Sequence, residues 1–171
     1  VYMFVLSENS LEKLNGVHIN LVNFFKELIL ISPWDFKITA GVRTAAEQNL
    51  EYQKGRTLPG IKVTKVDGYK QKSNHQIKFD GLGYAADIGV LVKEKVKTVV
   101  IENGKKVEKI VEKLVYKGDW KDFHYYQDIY NTAKKAGLLE KYGIEWGGNC
   151  WKTFKDAPHW QIKGADKVAF K

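Results

Sequence analysis

Residues 85 to 117 read AADIGVLVKEKVKTVVIENGKKVEKIVEKLVYK. Ala85 to Val92 is an apolar run interrupted only by Asp87 and Gly89, and it reads as a strand. Beyond it, Lys95 to Ile101 and Lys105 to Tyr116 mix β-branched residues with lysine, and Asn103-Gly104 lies between the two segments. Asn-Gly accepts the positive φ angles that a tight two-residue turn needs, so the pair predicts a β-hairpin over 93–117 with a solvated, lysine-rich face.

Working outward, Leu11, Leu14, Val17, Leu21, Phe24 and Leu28 recur at helical spacing and predict one helix over 10–31, capped by Ser10 and stopped by Ser32-Pro33. Phe36, Ile38 and Ala40 alternate with Lys37 and Thr39, which predicts a short half-buried strand. Thr44 and Glu47 have capping-box spacing and should open a second helix ending near Gly55. Residues 56–82 are rich in glycine and polar residues and read as loop. Asp119 is a candidate cap for a third helix, with Trp120, Phe123, Tyr126, Tyr130 and Ala133 as its apolar stripe and Gly137 at its end. His159 to Lys163 alternates again as a last strand. There is no repeat and no regular β-α-β alternation, so the expectation is a single α+β domain over 1–171.

The totals agree with that. The chain has 171 residues, 44% of them hydrophobic and 13% aromatic, enough for a core without disulfides. No apolar run reaches the ~18–20 residues of a membrane span, and none is expected. The first nine residues carry no basic region ahead of their short apolar stretch, so no secretory signal is read there. The single cysteine, Cys150, excludes an internal disulfide and a multi-cysteine zinc site. Net charge is +8, which calls for an anionic partner. Only Arg43 and Arg56 among 28 basic residues are arginine, so diffuse attraction by lysine fits better than forked recognition of nucleic acid.

Four histidines are available to chemistry. His18 and His124 fall inside predicted helices and read more simply as packed or surface residues. His75 follows Ser73-Asn74 in the polar loop, Asp87 lies twelve positions later in an apolar strand, and His159 opens the final strand. A carboxylate in an apolar segment is costly to bury unless something compensates it, and a metal would. Two imidazoles and one carboxylate make a three-ligand zinc site with an open fourth position. By spacing alone, each of these residues also has an ordinary structural explanation. Asp156, three positions before His159, could take a proton from the attacking water and pass it to a leaving amine, or could simply cap the turn before Ala157-Pro158. Arg43, just past a strand end, could stabilise an oxyanion or bind a substrate carboxylate, or could be a surface arginine.

Several short segments, in order, resemble the zinc peptidases of bacterial peptidoglycan that include D-Ala-D-Ala carboxypeptidases and L-alanyl-D-glutamate endopeptidases. The segments are Leu14-Asn15-Gly16-Val17-His18, Thr39 to Thr44 with Glu47-Gln48, Ser73-Asn74-His75, Gly83 to Asp87, Trp146 to Asn149, and Phe154 to His159. The likeness is strongest to the endopeptidase branch of phage endolysins and autolysins. It implies an α+β fold whose small antiparallel sheet carries zinc on His75, Asp87 and His159, with Asp156 as general base and acid. It implies further that Arg43 is the substrate- and oxyanion-binding cation and that Ser73 contacts substrate. The twelve-residue step from His75 to Asp87 is longer than the family's usual one, so residues within Gln76 to Leu82 must loop out. Cys150 looks like an insertion before Trp151, and the 93–117 hairpin looks like an insertion in the family core.

The resemblance implies zinc-dependent hydrolysis of peptidoglycan stem peptides at the L-Ala–D-Glu bond. Removal of a terminal D-Ala and zinc-stabilised wall binding without catalysis are the alternatives. The implied partners are the stem peptide and anionic wall polymers, with no nucleic acid, in a monomer. The site of action is the bacterial cell wall, reached by phage-type release from the host cytoplasm or as a processed secreted form. Trp146, Trp151 and Trp160 would either line the cleft or pack behind the ligand strand.

Overall fold

A computed structural model describes residues 3–150 and 155–171. The fold is α+β, with helices flanking a small antiparallel sheet. The elements run α1 (Glu8–Lys13), α2 (Ile19–Ile31), β1 (Asp35–Ala40), α3 (Ala45–Gln53), β2 (Ala85–Glu102), β3 (Lys105–Lys117), α4 (Phe123–Lys135), α5 (Leu138–Tyr142), β4 (Ile144–Trp146), α6 (Gly147–Cys150) and β5 (His159–Ile162). The sheet order is β1-β2-β5-β4, with β3 paired to β2.

The period-2 alternation of the strands sorts the sheet into two faces. Phe36 opposes Val90, Ile38 opposes Ile88, and Trp146 opposes Trp160, all turned into the core with Ala86 and Ile144. Leu21, Phe24, Phe25, Leu28 and Ile29 of α2 and Tyr126, Ile129 and Ala133 of α4 complete the same cluster. Each such Leu or Phe contributes about 1.5–3 kcal/mol relative to exposure. The opposite face carries Asp87, which pairs with His159, and Gln161, which pairs with Glu145 and Ala85. Apolar packing on one face therefore fixes the placement of polar groups on the other.

Three expectations are corrected. Residues 10–31 are not one helix: the chain breaks at Leu14–His18, where Gly16 sits at φ +78° and Val17 bridges Gly83. Ser7, not Ser10, caps α1, and the buried Ser10 hydroxyl instead accepts the Ile38 amide. His18 caps α2 through Nδ1. Trp120 does not join the α4 stripe; it stands 90% exposed on a 3-10 turn ahead of that helix. The short elements α5, β4 and α6 have no counterpart in the sequence reading.

The Thr44 capping box forms as expected, and Asn103 and Gly104 take φ of 50° and 74° at the hairpin tip. β2 is a single strand from the core to that tip. Within Gln76–Leu82 the chain doubles back, with the Lys78 amide donating to the Leu82 carbonyl, and docks on the C-terminal segment. The buried Lys78 ammonium donates to Asn74 Oδ1 and to the Ala165 and Val168 carbonyls, and lies 3.5 Å from the centre of the Phe170 ring.

Candidate metal centre and active site

The structure brings His75, Asp87 and His159 together: one ligand atom from each lies within 4.8 Å of the others. His75 Nε2 is 3.3 Å and His159 Nδ1 3.2 Å from Asp87 Oδ1. His75 Nε2 and Asp87 Oδ1 are buried and make no hydrogen bond among the described residues. Leaving a buried acceptor unsatisfied is costly, and a cation between these atoms removes the cost. The donor set, two imidazole nitrogens and one carboxylate oxygen, suits a divalent metal.

Each ligand is oriented from behind. His75 Nδ1 donates to the Gly41 carbonyl at 2.8 Å, which leaves Nε2 as the lone-pair nitrogen. His159 Nε2 lies 2.8 Å from Gln161 Oε1. The Gln161 amide is fixed in turn, because its Nε2 donates to Glu145 Oε1 at 2.7 Å and Asn74 Nδ2 donates to its Oε1 at 3.1 Å. That arrangement puts the His159 proton on Nε2 and frees Nδ1 for a metal. Arg43 Nη2 donates to Asp87 Oδ2 at 2.9 Å, so Oδ1 is the oxygen turned to the histidines. Arg43 Nη1 donates to Gln48 Oε1, whose amide is anchored on the Val66 carbonyl.

Burial lowers the His75 pKa, against the attraction of Asp87. Burial acts the same way on His159, but the Asp87 and Asp156 carboxylates outweigh it and raise the pKa. Burial alone would raise Asp87; the two imidazoles reverse this and hold it well below the usual carboxylate range. Asp156 is pushed up to about 6, first by burial and next by the Asp87 charge, against His159 and Arg43.

Arg43, Asp87 and Asp156 line one cleft of about 770 Å³, with Tyr116 from the base of the hairpin on its wall. Ser73 is placed differently. Its hydroxyl accepts the His75 amide at 3.2 Å and so supports the turn that carries the ligand. Trp146 and Trp160 are fully buried behind the ligand strand, while Trp151 lies outside the described residues. Sequence reasoning gave no role to Gly41, Gln48 and Asn74, although they stand in the segments that carry the family resemblance, and it missed Glu145 and Gln161. Gln161 left a signal of its own, since it follows His159 by two and must share its strand face.

A sequence model of the family described as phage L-alanyl-D-glutamate peptidase matches residues 2–116. The chain belongs to that family. His75 and Asp87 fall within the matched part, and Asp156 and His159 beyond it. The chain is 30% identical over 128 residues to the peptidoglycan L-alanyl-D-glutamate endopeptidase CwlK of Bacillus subtilis (strain 168), covering 75% of this chain and 60% of that protein. It therefore spans about three-fifths of that relative's length. The fold is similar to the crystal structure of the Serratia marcescens L-Ala D-Glu endopeptidase ChiX, with a TM-score of 0.59 and 24% identity over 95% of this chain and 93% of that one. Among the described residues no helix is long and apolar enough to cross a membrane.

Proposed function

We propose that this protein is a zinc-dependent peptidoglycan peptidase that hydrolyses the L-Ala–D-Glu bond of the stem peptide. The observation that carries the reading is the convergence of His75 Nε2, His159 Nδ1 and Asp87 Oδ1, two of them buried and unbonded, beside a cleft that Arg43 and Asp156 also line. Membership of the peptidase family supports it.

His75, Asp87 and His159 would hold the ion. Bound there, it would supply Lewis-acid polarisation of the scissile carbonyl and a lower pKa for the attacking water. Asp156 takes the proton from that water and later delivers it to the leaving amine. Burial and the Asp87 charge raise this carboxyl while the His159 and Arg43 charges oppose them, and it is ionised at neutral pH, the state that accepts a proton. Arg43 uses one N–H on Asp87 and one on Gln48, and its remaining donors serve the developing oxyanion or a substrate carboxylate. Ser73 supports the His75 turn beside any contact it makes with substrate. The 93–117 hairpin is an insertion in this single peptidase domain, and its lysines add to the attraction for anionic wall polymers.

The test measures metal content alongside the masses of muropeptide products. His75→Ala loses both the ion and activity. Asp156→Ala keeps the ion and loses turnover by about a hundredfold or more. Near-full wall-lytic activity in Asp156→Ala would overturn the mechanism. Loss of terminal D-Ala alone would make the protein a D,D-carboxypeptidase, and adsorption to walls with no released peptide would make it a binding module.

A further inference from the structure

A second groove, of about 710 Å³, adjoins the metal cleft. The two share Val63, Gly118, Asp156 and Pro158, so the groove begins where the proposed base stands. Their linings differ in kind. The metal cleft is charged, with Glu12, Lys13, Glu47, Glu51 and Lys54 around it. The groove is largely apolar, with Ile61, Phe123 and Ala157 along it and Trp120 at its edge. Trp120 is 90% exposed, whereas Trp146 and Trp160 are fully buried. The turn that carries it is held locally, because Asp122 Oδ2 accepts the Asp119 amide and the Asp122 amide donates to the Asp119 carbonyl. A large aromatic surface left in water beside a reaction cleft is the kind of exposed apolar patch that marks a binding site.

We propose that this groove is a saccharide subsite, in which the Trp120 indole stacks on the C–H face of the pyranose ring that bears the stem peptide. The inference rests on the peptidase reading above. L-Ala is the first residue of the stem and is joined to the sugar through a single lactyl group. An enzyme that cuts after L-Ala must therefore place the ring within about two residue lengths, roughly 7 Å, of the scissile carbonyl. The groove adjoins the cleft and shares Asp156 with it, so a ring joined to L-Ala by one lactyl group would enter it directly. A pyranose offers an apolar C–H face with hydroxyls at its edge, which matches a flat indole over a groove with few polar atoms. The remainder of the stem, with its carboxylates and amine, matches the charged cleft on the other side.

The experiment compares two substrates: a disaccharide-bearing muropeptide, and the same peptide with its sugar replaced by N-acetyl. In parallel, the Trp120 indole N–H resonance is followed as the free disaccharide is titrated into the metal-loaded protein. Trp120→Ala should lower kcat/KM for the sugar-bearing substrate about tenfold, through KM, and leave the N-acetyl peptide unchanged. Trp120→Phe should recover much of the loss. The disaccharide should shift the Trp120 resonance. Equal effects of Trp120→Ala on both substrates, or no effect on either, would overturn the subsite while leaving the peptidase standing. A shifted resonance with neither substrate cleaved would keep the saccharide site and remove the peptidase. Neither cleavage nor a shift would remove both.

Discussion

At the residue scale, Asp156 makes the sharpest prediction. A general base works only when ionised, and below its pKa the ionised fraction falls about tenfold per pH unit. Burial and the Asp87 charge push this carboxyl up to about 6, and positive charge from a bound ion can only move it down. The acid limb of kcat/KM on a soluble muropeptide should therefore lie at or below about pH 6. Half-maximal activity near neutrality would show that another group is the base. Asp87 was legible as a candidate ligand, because an aspartate in the run from Ala85 to Val92 needs a compensating partner. The roles of Glu145 and Asn74 were not legible. Glu145 reaches Gln161 through strand pairing and Asn74 reaches it from the turn before His75, and side-chain chemistry alone does not distinguish them from surface residues.

At the scale of elements, the site depends on how closely α1 approaches the end of β1. A Cβ on Gly41 would lie 1.9 Å from the Lys13 carbonyl oxygen, and the Gly41 carbonyl is the acceptor that orients His75. Gly41→Ala should cost about 2–3 kcal/mol, read as a lower denaturant midpoint at constant slope, and should also weaken ion binding. A stable variant with unchanged ion affinity would show that this contact is dispensable. The hairpin and the α3 cap were readable, because both rest on local backbone preferences. The break between α1 and α2 was not, because the apolar spacing continues through it. Buried Leu14 and Val17 satisfy that spacing from a turn, held by Gly16 and by the bridge to Gly83. Trp120 misled for the related reason that helical spacing does not say where a helix begins.

At the scale of the whole molecule, the net charge of +8 acts over a Debye length of about 8–10 Å in ordinary buffers. Adsorption to intact anionic walls should weaken as salt rises from about 0.05 to 0.5 M, while cleavage of a short soluble muropeptide changes much less. Equal salt sensitivity in the two assays would remove electrostatic steering from the account. By itself the sequence determined the α+β class, every strand but β4, the capped helix, the hairpin and the candidate metal-binding side chains, because each follows from local periodicity or from the cost of burying an unpaired charge. Only the tertiary structure decided which atoms of His75, Asp87 and His159 converge, what holds Arg43 and Gln161 in place, and that an exposed indole shares a groove with Asp156. Those facts depend on register and packing between segments as far apart as Gly41, His75 and His159. No local pattern encodes them, because distances of a few ångströms across the sheet are set by the whole core packing at once.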